Sequence, residues 1–263
     1  MTADFEYGIC RLPVIPVRDL PSDRSEQVTQ LLFGEIYRIL EWSENHKWTK
    51  IEIAFDGYQG WIDHLQVFGI NQAHFNFIQE NDSKICLEIV AKILVKNTYI
   101  NILIGSLLPL GSQELFNMEA QIEFSGVSKS ISERAGYQFL RDTALKYLNA
   151  PYTWGGKTPF GIDCSGFTQM VFKLTGYALR RDAGQQKEQG GAIEKWADRG
   201  PGDLIYLEGV GSKVPHVGIL LEDDSIIHAS GKVRIDRLDQ TGIFNNELQT
   251  YSHSFGRIRR ILK

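Results

Sequence analysis

The chain has 263 residues, which is the length of one large domain or of two to three small ones. Its 28 Lys and Arg residues face 32 Asp and Glu residues, giving a net charge of −4. This balance argues against a nucleic-acid partner, because phosphate binding needs an excess of Lys and Arg. Hydrophobic residues make up 43% of the chain, which excludes a disordered protein. No apolar run approaches the roughly 20 residues of a membrane span, so no membrane partner is expected either.

The N-terminus does not have the pattern of a secretory signal, which begins with positive charge and continues into an apolar stretch. Here Asp4 and Glu6 precede the first basic residue, Arg11. If Met1 is the native first residue, the protein is therefore expected in the cytoplasm.

The three cysteines, Cys10, Cys86 and Cys164, are widely separated and odd in number. An oxidised framework would have a denser and even set, so we expect reduced thiols. None of them belongs to a C-x-x-C pair, which weakens zinc-binding and redox-dithiol interpretations. Cys10 and Cys86 lie in apolar segments and are predicted to be small buried core residues.

The first half of the chain predicts β structure. Short alternating or β-branched runs, interrupted by Gly, Pro, Asn and Asp, recur in it at 48–55, 58–62, 85–94 and 105–110. This pattern is typical of short antiparallel strands in small all-β barrels. We predict two such domains, 1–70 and 71–130, with Asn71 at their junction. In the first of them, Asp56 and Gly57 predict a tight turn.

The pattern becomes helical after residue 130. Ser132 can cap a first helix, which has an apolar residue at every fourth position and stops before a proline. The residues concerned are Leu140, Ala144, Leu148, Asn149 and Pro151. A second helix ends at Gly176, and its apolar face is formed by Phe167, Met170, Val171 and Leu174.

Strand-like runs follow these helices at 204–207, 217–221, 225–229, 233–235 and 257–262. Helices followed by an antiparallel sheet predict an α+β domain, which we place at 131–263.

Cys164 is predicted to open the second helix. The unpaired backbone N–H groups and the dipole at that end favour negative charge, so we expect the position to lower the pKa of the thiol. The neighbours Asp163 and Ser165 are polar, whereas the apolar stripe begins only at Phe167. A plain buried cysteine is the alternative, but this setting favours a nucleophile.

Two histidines are candidates for the base that a cysteine nucleophile needs. His216 and His228 lie in consecutive strand-like runs, and in each run the apolar residues alternate with the histidine. If the two strands pair as a hairpin, both imidazoles lie on one face of the sheet. No comparable setting is predicted for His46, His64, His74 and His253.

A zinc site is the alternative for Cys164, His216 and His228, since all three are ligand types. It is disfavoured because the chain contains neither an H-E-x-x-H nor a C-x-x-C motif.

These residues lie in motifs that resemble the NlpC/P60 cysteine peptidases. Five motifs follow the order of that family, at 152–156, 161–167, 201–205, 216–218 and 227–229. Upstream, residues 48–51 and 56–61 resemble bacterial SH3-like (SH3b) domains. The resemblance implies a multi-domain protein, with two small all-β SH3-like barrels followed by a papain-like α+β NlpC/P60 domain.

The resemblance also implies a role for each catalytic residue. Cys164 matches the nucleophile, His216 the base, and His228 the polar residue that orients the base. Tyr152 matches a tyrosine whose hydroxyl helps to stabilise the oxyanion, together with backbone N–H groups near Cys164.

A pocket for the free amine of an N-terminal L-Ala is implied as well. Asp163 and Ser165 match amine-binding positions of the peptidase domain. Tyr58 matches an SH3b tyrosine that closes the pocket, and Glu35 matches an acidic partner of the amine. From the residues alone, Asp163 could instead cap the helix, and Tyr58 could be an ordinary residue of the sheet surface.

SH3b domains before such a peptidase resemble the γ-D-glutamyl-L-diamino acid endopeptidases that recycle murein peptides. The implied reaction hydrolyses the γ-D-Glu–diamino acid bond of L-Ala-γ-D-Glu-diamino acid peptides through an acyl-enzyme, without metal or cofactor. The implied partner is this murein peptide, with either diaminopimelate or Lys at its third position. The alternatives are a peptidoglycan-binding SH3b module and an amidase or acyltransferase on the same fold.

Overall fold

The computed structural model describes residues 5–95, 97–108, 122–209 and 215–262. The chain forms two compact structural units, Met1–Glu133 and Arg134–Lys263. Within the described residues, no helix has the length and apolar character needed to cross a membrane.

The first unit begins with seven short antiparallel strands: β1 (Tyr7–Ile9), β2 (Val14–Arg18), β3 (Gln27–Leu32), β4 (Ile36–Trp42), β5 (Trp48–Ile53), β6 (Gln59–Asp63) and β7 (Gly69–Ile70). They form one sheet in the order β3-β2-β6-β5-β4-β1-β7. Its core contains Cys10, Ile15, Leu31, Tyr37, Ile51 and Ile62. The strands predicted at 48–55 and 58–62 are confirmed as β5 and β6, and Gly57 adopts φ 72° in the turn between them.

A helix, α1 (Gln72–Glu80), follows the first sheet and was not predicted. Asn71, interpreted as a domain junction, is the N-cap of this helix, since its Oδ1 accepts a hydrogen bond from the His74 N–H at 2.9 Å. Phe75 and Ile78 are buried on one face of the helix. An asparagine followed by two apolar residues at i, i+3 spacing was the signal available in the sequence.

Six further strands complete the first unit: β8 (Lys84–Cys86), β9 (Val90–Val95), β10 (Thr98–Leu103), β11 (Leu107–Leu108), β12 (Ile122–Phe124) and β13 (Ser128–Ser130). They form two three-stranded sheets, β10-β9-β12 and β11-β8-β13. The run predicted at 85–94 is divided between β8 and β9. The run predicted at 105–110 contains β11, and residues 109–110 lie outside the described part of the chain. Cys10 and Cys86 are both buried, as predicted.

The second unit begins with α2 (Tyr137–Leu145), whose N-cap is Gly136 and not Ser132. The predicted cap was wrong because Ser132 is held in the segment after β13, where its N–H donates to the Asp82 carboxylate at 3.2 Å. Leu140 and Ala144 are buried on the helix as predicted, whereas Leu148 lies beyond its end.

The hairpin β14 (Lys157–Thr158) and β15 (Gly161–Ile162) leads into α3 (Cys164–Thr175), which is followed by the short α4 (Ala183–Gln186). The prediction of α3 is confirmed: Asp163 is its N-cap, and Gly176 ends it in the left-handed conformation at φ 91°. Every residue of α3 is buried. Neighbouring elements therefore surround the helix and fix the position of its first residue, Cys164.

Seven antiparallel strands follow: β16 (Gly191–Ile193), β17 (Leu204–Gly209), β18 (Pro215–Leu220), β19 (Ser225–Ser230), β20 (Lys232–Leu238), β21 (Gly242–Asn245) and β22 (Thr250–Arg260). They form one sheet in the order β16-β22-β17-β18-β19-β20-β21. Because β22 also pairs with β21, strands β17 to β22 close on themselves. The enclosed apolar cluster includes Ile205, Leu220, Ile226, Leu238, Ile243 and Ile258.

The sequence predicted β17 to β20 and the last residues of β22. It missed β16 and β21, which are short and begin with glycine, and the first half of β22. Two short 3-10 turns, His64–Gln66 and Trp196–Asp198, complete the secondary structure of the described residues.

Candidate active site

Cys164 lies at the N-terminus of α3, next to the beginning of β18. The Asp163 side chain caps the helix, with Oδ1 accepting a hydrogen bond from the Gly166 N–H at 2.6 Å. The backbone N–H groups of Ser165 and Val217 act on the sulfur of Cys164 and lower the pKa of its thiol. Since Val217 directly follows His216, the thiol lies against the strand that carries the predicted base.

Burial governs the protonation of Cys164. The residue is only 7% exposed, and burial, reinforced by the charge of Asp163, raises the pKa of the thiol to about 12. The backbone N–H groups and Arg181 lower the pKa but do not outweigh the burial. The expectation of a lowered pKa was therefore wrong, because a helix N-terminus counts for less than desolvation at this site. The resting thiol is neutral and needs a base.

His216 on β18 and His228 on β19 lie on one face of the sheet. The two strands pair antiparallel with Gly218 opposite His228. The His216 Nε2 atom lies 2.8 Å from the His228 Nδ1 atom, and both side chains are buried. The shared face predicted from the alternation is thus confirmed.

Asp236 on β20 extends this pair into a hydrogen-bonded series. The His228 Nε2 atom lies 3.1 Å from Asp236 Oδ2. Arg234, which lies opposite His228 in the register, donates to the same carboxylate from Nε at 2.6 Å and from Nη2 at 3.0 Å. Burial opposes the charge of Asp236, but the hydrogen bonds from His228 and Arg234 hold the pKa of the carboxyl at about 2. The sequence-based interpretation missed Asp236 and Arg234, although their i, i+2 spacing places both on one face of a strand.

The series fixes which nitrogen of each imidazole carries a proton. Asp236 is ionised and can only accept, so the hydrogen it receives comes from Nε2 of His228. Burial lowers the pKa of His228, and the neutral ring, protonated at Nε2, accepts at Nδ1. Nε2 of His216 must then be the donor in the bond between the two rings. Burial holds the pKa of His216 well below 6.5, and repulsion from His228 when that ring is protonated lowers it further, so Nδ1 of His216 carries a lone pair at neutral pH.

Asp163 and Ser165, two of the residues predicted to bind an amine, form hydrogen bonds with Arg181. Its guanidinium donates from Nη1 to Asp163 Oδ1 at 3.1 Å and from Nη2 to Oδ2 at 2.6 Å. Nη1 also donates to Ser165 Oγ at 2.9 Å, and the Gly155 N–H donates to Asp163 Oδ2 at 2.8 Å. Asp163 therefore caps α3, as the alternative interpretation had it, and also holds Arg181. Amine binding by Asp163 and Ser165 stays a prediction.

Tyr152 precedes β14 and lies close to the thiol. Its backbone N–H donates to the Gly231 carbonyl at 2.9 Å, and the residue forms a bridge with Ile162. Burial raises the pKa of the phenol, and the charge of Asp163 and that of Cys164 when it ionises raise it further. The hydroxyl is therefore protonated at neutral pH and can donate a hydrogen bond, as its predicted role at the oxyanion requires.

Tyr58 and Glu35 belong to the first unit. The Tyr58 N–H donates to Asp56 Oδ1 at 3.0 Å, and its ring packs against the core of the first sheet. Glu35 is 1% exposed, and its Oε2 accepts from the Leu32 N–H at 2.8 Å. Their participation in an amine pocket stays a prediction.

His253 on β22 was not expected near the site, and this expectation was wrong. Its ring stacks on that of His216, with centroids 4.1 Å apart and an interplanar angle of 22°. The predicted last strand began only at Arg257, so the sequence did not place His253 in the sheet. The closure of the sheet through β22 brings it to the site.

A metal was weighed as the alternative use of these side chains. Among the residues that the structure describes, no group of three His, Cys, Asp or Glu side chains is placed to hold a metal ion. The facing nitrogens of His216 and His228 are instead joined by a hydrogen bond, which suits the transfer of a proton.

Comparison with known proteins agrees with this geometry. Residues 149–251 match the NlpC/P60 family, and residues 17–67 match the bacterial dipeptidyl-peptidase SH3 domain. The gamma-D-glutamyl-L-lysine dipeptidyl-peptidase of Bacillus subtilis is 29% identical over 94% of this chain and 84% of its own. Dipeptidyl-peptidase 6 of Lysinibacillus sphaericus is 27% identical over 90% and 93%, respectively. An NlpC/P60 family protein from Bacillus cereus has a similar fold, with a TM-score of 0.78 and 20% identity over 98% of this chain and 100% of its own. Residues 149–251 therefore match an NlpC/P60 domain, and residues 17–67 match a bacterial SH3 domain.

Proposed function

We propose that this protein is a cysteine endopeptidase that hydrolyses the γ-D-Glu–diamino acid bond of murein peptides with a free N-terminal L-Ala. The observation that carries the proposal is the hydrogen-bonded series from His216 through His228 to Asp236, together with the backbone of Val217, next to His216, acting on the thiol of Cys164. A nucleophile, a base and a group that orients the base are what covalent acyl transfer requires. The name of the Bacillus subtilis relative, a gamma-D-glutamyl-L-lysine dipeptidyl-peptidase, supports the substrate class.

In the first step, Nδ1 of His216 accepts the thiol proton while the sulfur of Cys164 attacks the γ-carbonyl carbon of D-Glu. A carbon–sulfur bond forms, and the carbonyl oxygen takes up the negative charge. The Tyr152 hydroxyl and backbone N–H groups at the start of α3 are the proposed donors to this oxyanion. The positive charge left on His216 is favoured by the Asp236 carboxylate, acting through the ring of His228.

Collapse of the tetrahedral intermediate breaks the carbon–nitrogen bond, and Nδ1 of His216 gives its proton to the amine of the departing diamino acid. The L-Ala-γ-D-Glu fragment remains as a thioester on Cys164. A water molecule loses a proton to the same Nδ1, and its oxygen attacks the thioester carbon. Collapse of this second tetrahedral intermediate breaks the carbon–sulfur bond, and Nδ1 returns the proton to the sulfur, which restores the thiol. The dipeptide leaves as a carboxylic acid that loses its proton to solvent.

Because the pKa of Cys164 is raised and that of His216 is lowered, the two residues rest as a neutral thiol and a neutral imidazole, not as a thiolate and an imidazolium. The proton therefore moves as the sulfur attacks, so the position of Nδ1 matters as much as its pKa.

The proposal extends to the layout and setting of the protein. We assign the two three-stranded sheets of the first unit to a second SH3-like barrel, and the second unit to a papain-like domain. The closed sheet β17 to β22 and the helix that carries the nucleophile support this assignment. Recycling of cell-wall peptides in the cytoplasm, and an amine pocket formed by Asp163, Ser165, Tyr58 and Glu35, belong to the same proposal.

The test is incubation with L-Ala-γ-D-Glu-L-Lys and with L-Ala-γ-D-Glu-diaminopimelate, followed by mass spectrometry. We expect L-Ala-D-Glu and the free diamino acid, and the preferred peptide identifies the third residue. The Cys164→Ala protein is the matched control and should release neither product. Transfer of the dipeptide to an added amine instead of water would indicate an acyltransferase. Binding without any turnover would indicate a recognition module, and either result would contradict the proposal.

A further inference from the structure

His253 is a third histidine in contact with the proposed base. Its ring lies nearly parallel to that of His216, at a centroid separation typical of aromatic stacking. The ring of His228 stands at 83° to His216 and at 88° to His253. His216 is thus held at Nε2 by a hydrogen bond to His228 and on one face by His253. These two contacts restrict different motions of the ring.

The backbone around His253 is adapted to its position. On the neighbouring strand β21, Ile243 pairs with His253, and Gly242 lies one residue earlier at φ 145°. A Cβ atom at Gly242 would overlap the His253 carbonyl, so the close approach of the two strands requires glycine there. Ser252 Oγ lies 2.9 Å from His253 Nδ1. The position of the His253 ring is therefore fixed by the close approach of the β21 backbone and by the contact with the Ser252 side chain.

Burial keeps His253 neutral at neutral pH. Burial, and the charge of His228 when it is protonated, lower the pKa of His253 to about 4, while Asp236 raises it. His216 is a further titratable group in contact with the ring. A neutral aromatic face is a favourable neighbour for an imidazolium, which His216 becomes during the proposed reaction.

We propose that His253 is a positioning residue for His216. The stacked ring fixes the plane of the His216 imidazole, so that Nε2 stays on His228 and Nδ1 stays directed at the thiol of Cys164. The catalytic meaning of this inference rests on the proposed peptidase function. The positioning itself concerns only the thiol and the base, and it is measurable without a substrate.

The test compares wild type with His253→Ala, which removes the ring, and His253→Phe, which keeps a flat ring without nitrogen atoms. His64→Ala is the control: it also removes a histidine ring that packs against another ring, but this ring contacts Trp42 in the first unit and not the proposed base. The measurements are kcat and KM on L-Ala-γ-D-Glu-L-Lys and, separately, the rate of alkylation of Cys164 by iodoacetamide between pH 5 and 9. Thermal unfolding verifies that each variant is folded.

We expect His253→Ala to lower kcat by about tenfold or more with KM changed less than about threefold, because a misplaced base reduces turnover more than binding. Its alkylation rate should fall and its pH profile should shift. His253→Phe should restore both rates to within about threefold of wild type, and His64→Ala should change neither.

Equal turnover and alkylation in wild type and His253→Ala would overturn the inference, as would a His253→Phe protein as slow as His253→Ala. If the alanine variant does not fold, His253→Leu replaces it, since leucine fills the space without a flat ring. A wild-type protein that cleaves no peptide refutes the proposed function alone. The alkylation rates then still decide whether His253 positions the base.

Discussion

Arg181 forms a buried, two-point ion pair with Asp163, one residue before the candidate nucleophile, and its shortest contact is 2.6 Å. The pair joins the cap of α3 to the chain segment just before α4. Asp163 accepts five hydrogen bonds in total, including those from Gly155, Gly166 and Ser165. Such a pair contributes little compared with apolar packing, but the loss of one partner leaves an uncompensated charge in the interior.

We expect Arg181→Ala to lower the free energy of unfolding by about 3–5 kcal/mol, because Asp163 stays charged and buried without its partner. Urea unfolding of the purified protein measures the loss. The control is Arg260→Ala, which removes the partner of the buried Asp203 but starts from a guanidinium that is 41% exposed. Water can take the place of the exposed Arg260 guanidinium next to Asp203, so the control should lose less stability. A loss as large as that of Arg181→Ala would contradict the assigned role of burial.

Cys164→Ala should abolish turnover and leave the fold unchanged, because the lost group is the nucleophile and the remaining side chain still fits. Activity measurement and circular dichroism test the two parts of this prediction. Cys10→Ala is the matched control: Cys10 is fully buried in the core of the first sheet, so its removal should lower Tm and spare activity. Retained hydrolysis in Cys164→Ala would refute the nucleophile assignment.

The same assignment predicts that iodoacetamide modifies Cys164 before Cys10 and Cys86, which have no exposed surface. Peptide mapping by mass spectrometry identifies the modified residue. EDTA should leave activity unchanged. Inhibition by EDTA that zinc reverses would support the metal alternative instead.

The loss of kcat on substitution should be largest at His216 and smaller at His228 and Asp236, the other members of the hydrogen-bonded series. His216→Ala removes the group that moves the proton and should cause the largest loss of kcat. His228→Gln and Asp236→Asn remove groups that orient the base and favour its positive charge but do not move the proton themselves, so some activity should remain in both. Asp203→Asn is the control for Asp236→Asn, since Asp203 is also a buried aspartate paired with an arginine. A His228 variant more damaged than His216→Ala would reverse the two roles.

The elements that the sequence predicted depend on local patterns. The helix α3 shows a capping aspartate, a regular apolar face and a terminal glycine within 14 consecutive residues, Asp163 to Gly176. His216 and His228 are close in the chain, and strand alternation alone places both on one face. The remaining site residues depend on contacts between distant segments. Arg181 reaches Asp163 only because the chain after α3 turns back, and His253 reaches His216 only because the sheet closes.

The protonation state of Cys164 also depends on contacts that local sequence patterns do not show. The helix N-terminus is visible in the sequence and favours a thiolate. The burial that outweighs it results from the packing of α3 against its neighbours, and no local pattern reports that packing.

Acid should destabilise the protein through its buried histidines. Burial lowers the pKa of His216, His228 and His253 in the folded state, and the value for His253 is about 4. Unfolded histidines titrate near pH 6.5. Below about pH 6.5 the unfolded chain therefore binds more protons, so stability falls as the pH falls toward the folded pKa values, by at most about 1.4 kcal/mol per pH unit for each histidine. Above that pH the three residues add no slope.

Urea unfolding between pH 7.5 and 4.5 measures this dependence. His253→Phe removes one of the three groups, so its stability should fall less steeply with acid than that of wild type. Equal slopes would show that His253 is not held neutral by the fold.

The last prediction concerns the amine of the substrate. If Tyr58 and Asp163 enclose a free α-ammonium, as the family resemblance implies, a peptide whose N-terminal Ala is blocked should be a poor substrate. Charged hydrogen bonds are worth about 1.5–3 kcal/mol each, so N-acetylation should lower kcat/KM by at least about tenfold. Asp163 already forms an ion pair with Arg181, so the substrate ammonium would have to share this carboxylate with the guanidinium. Tyr58→Ala should therefore reduce the use of the free peptide and narrow its advantage over the acetylated one. Tyr99→Ala, at a tyrosine of the first unit that is 69% exposed, should leave that advantage intact. Equal kcat/KM for the two peptides on the wild-type protein would mean that no amine pocket exists, and that the first unit serves another purpose than closing the site.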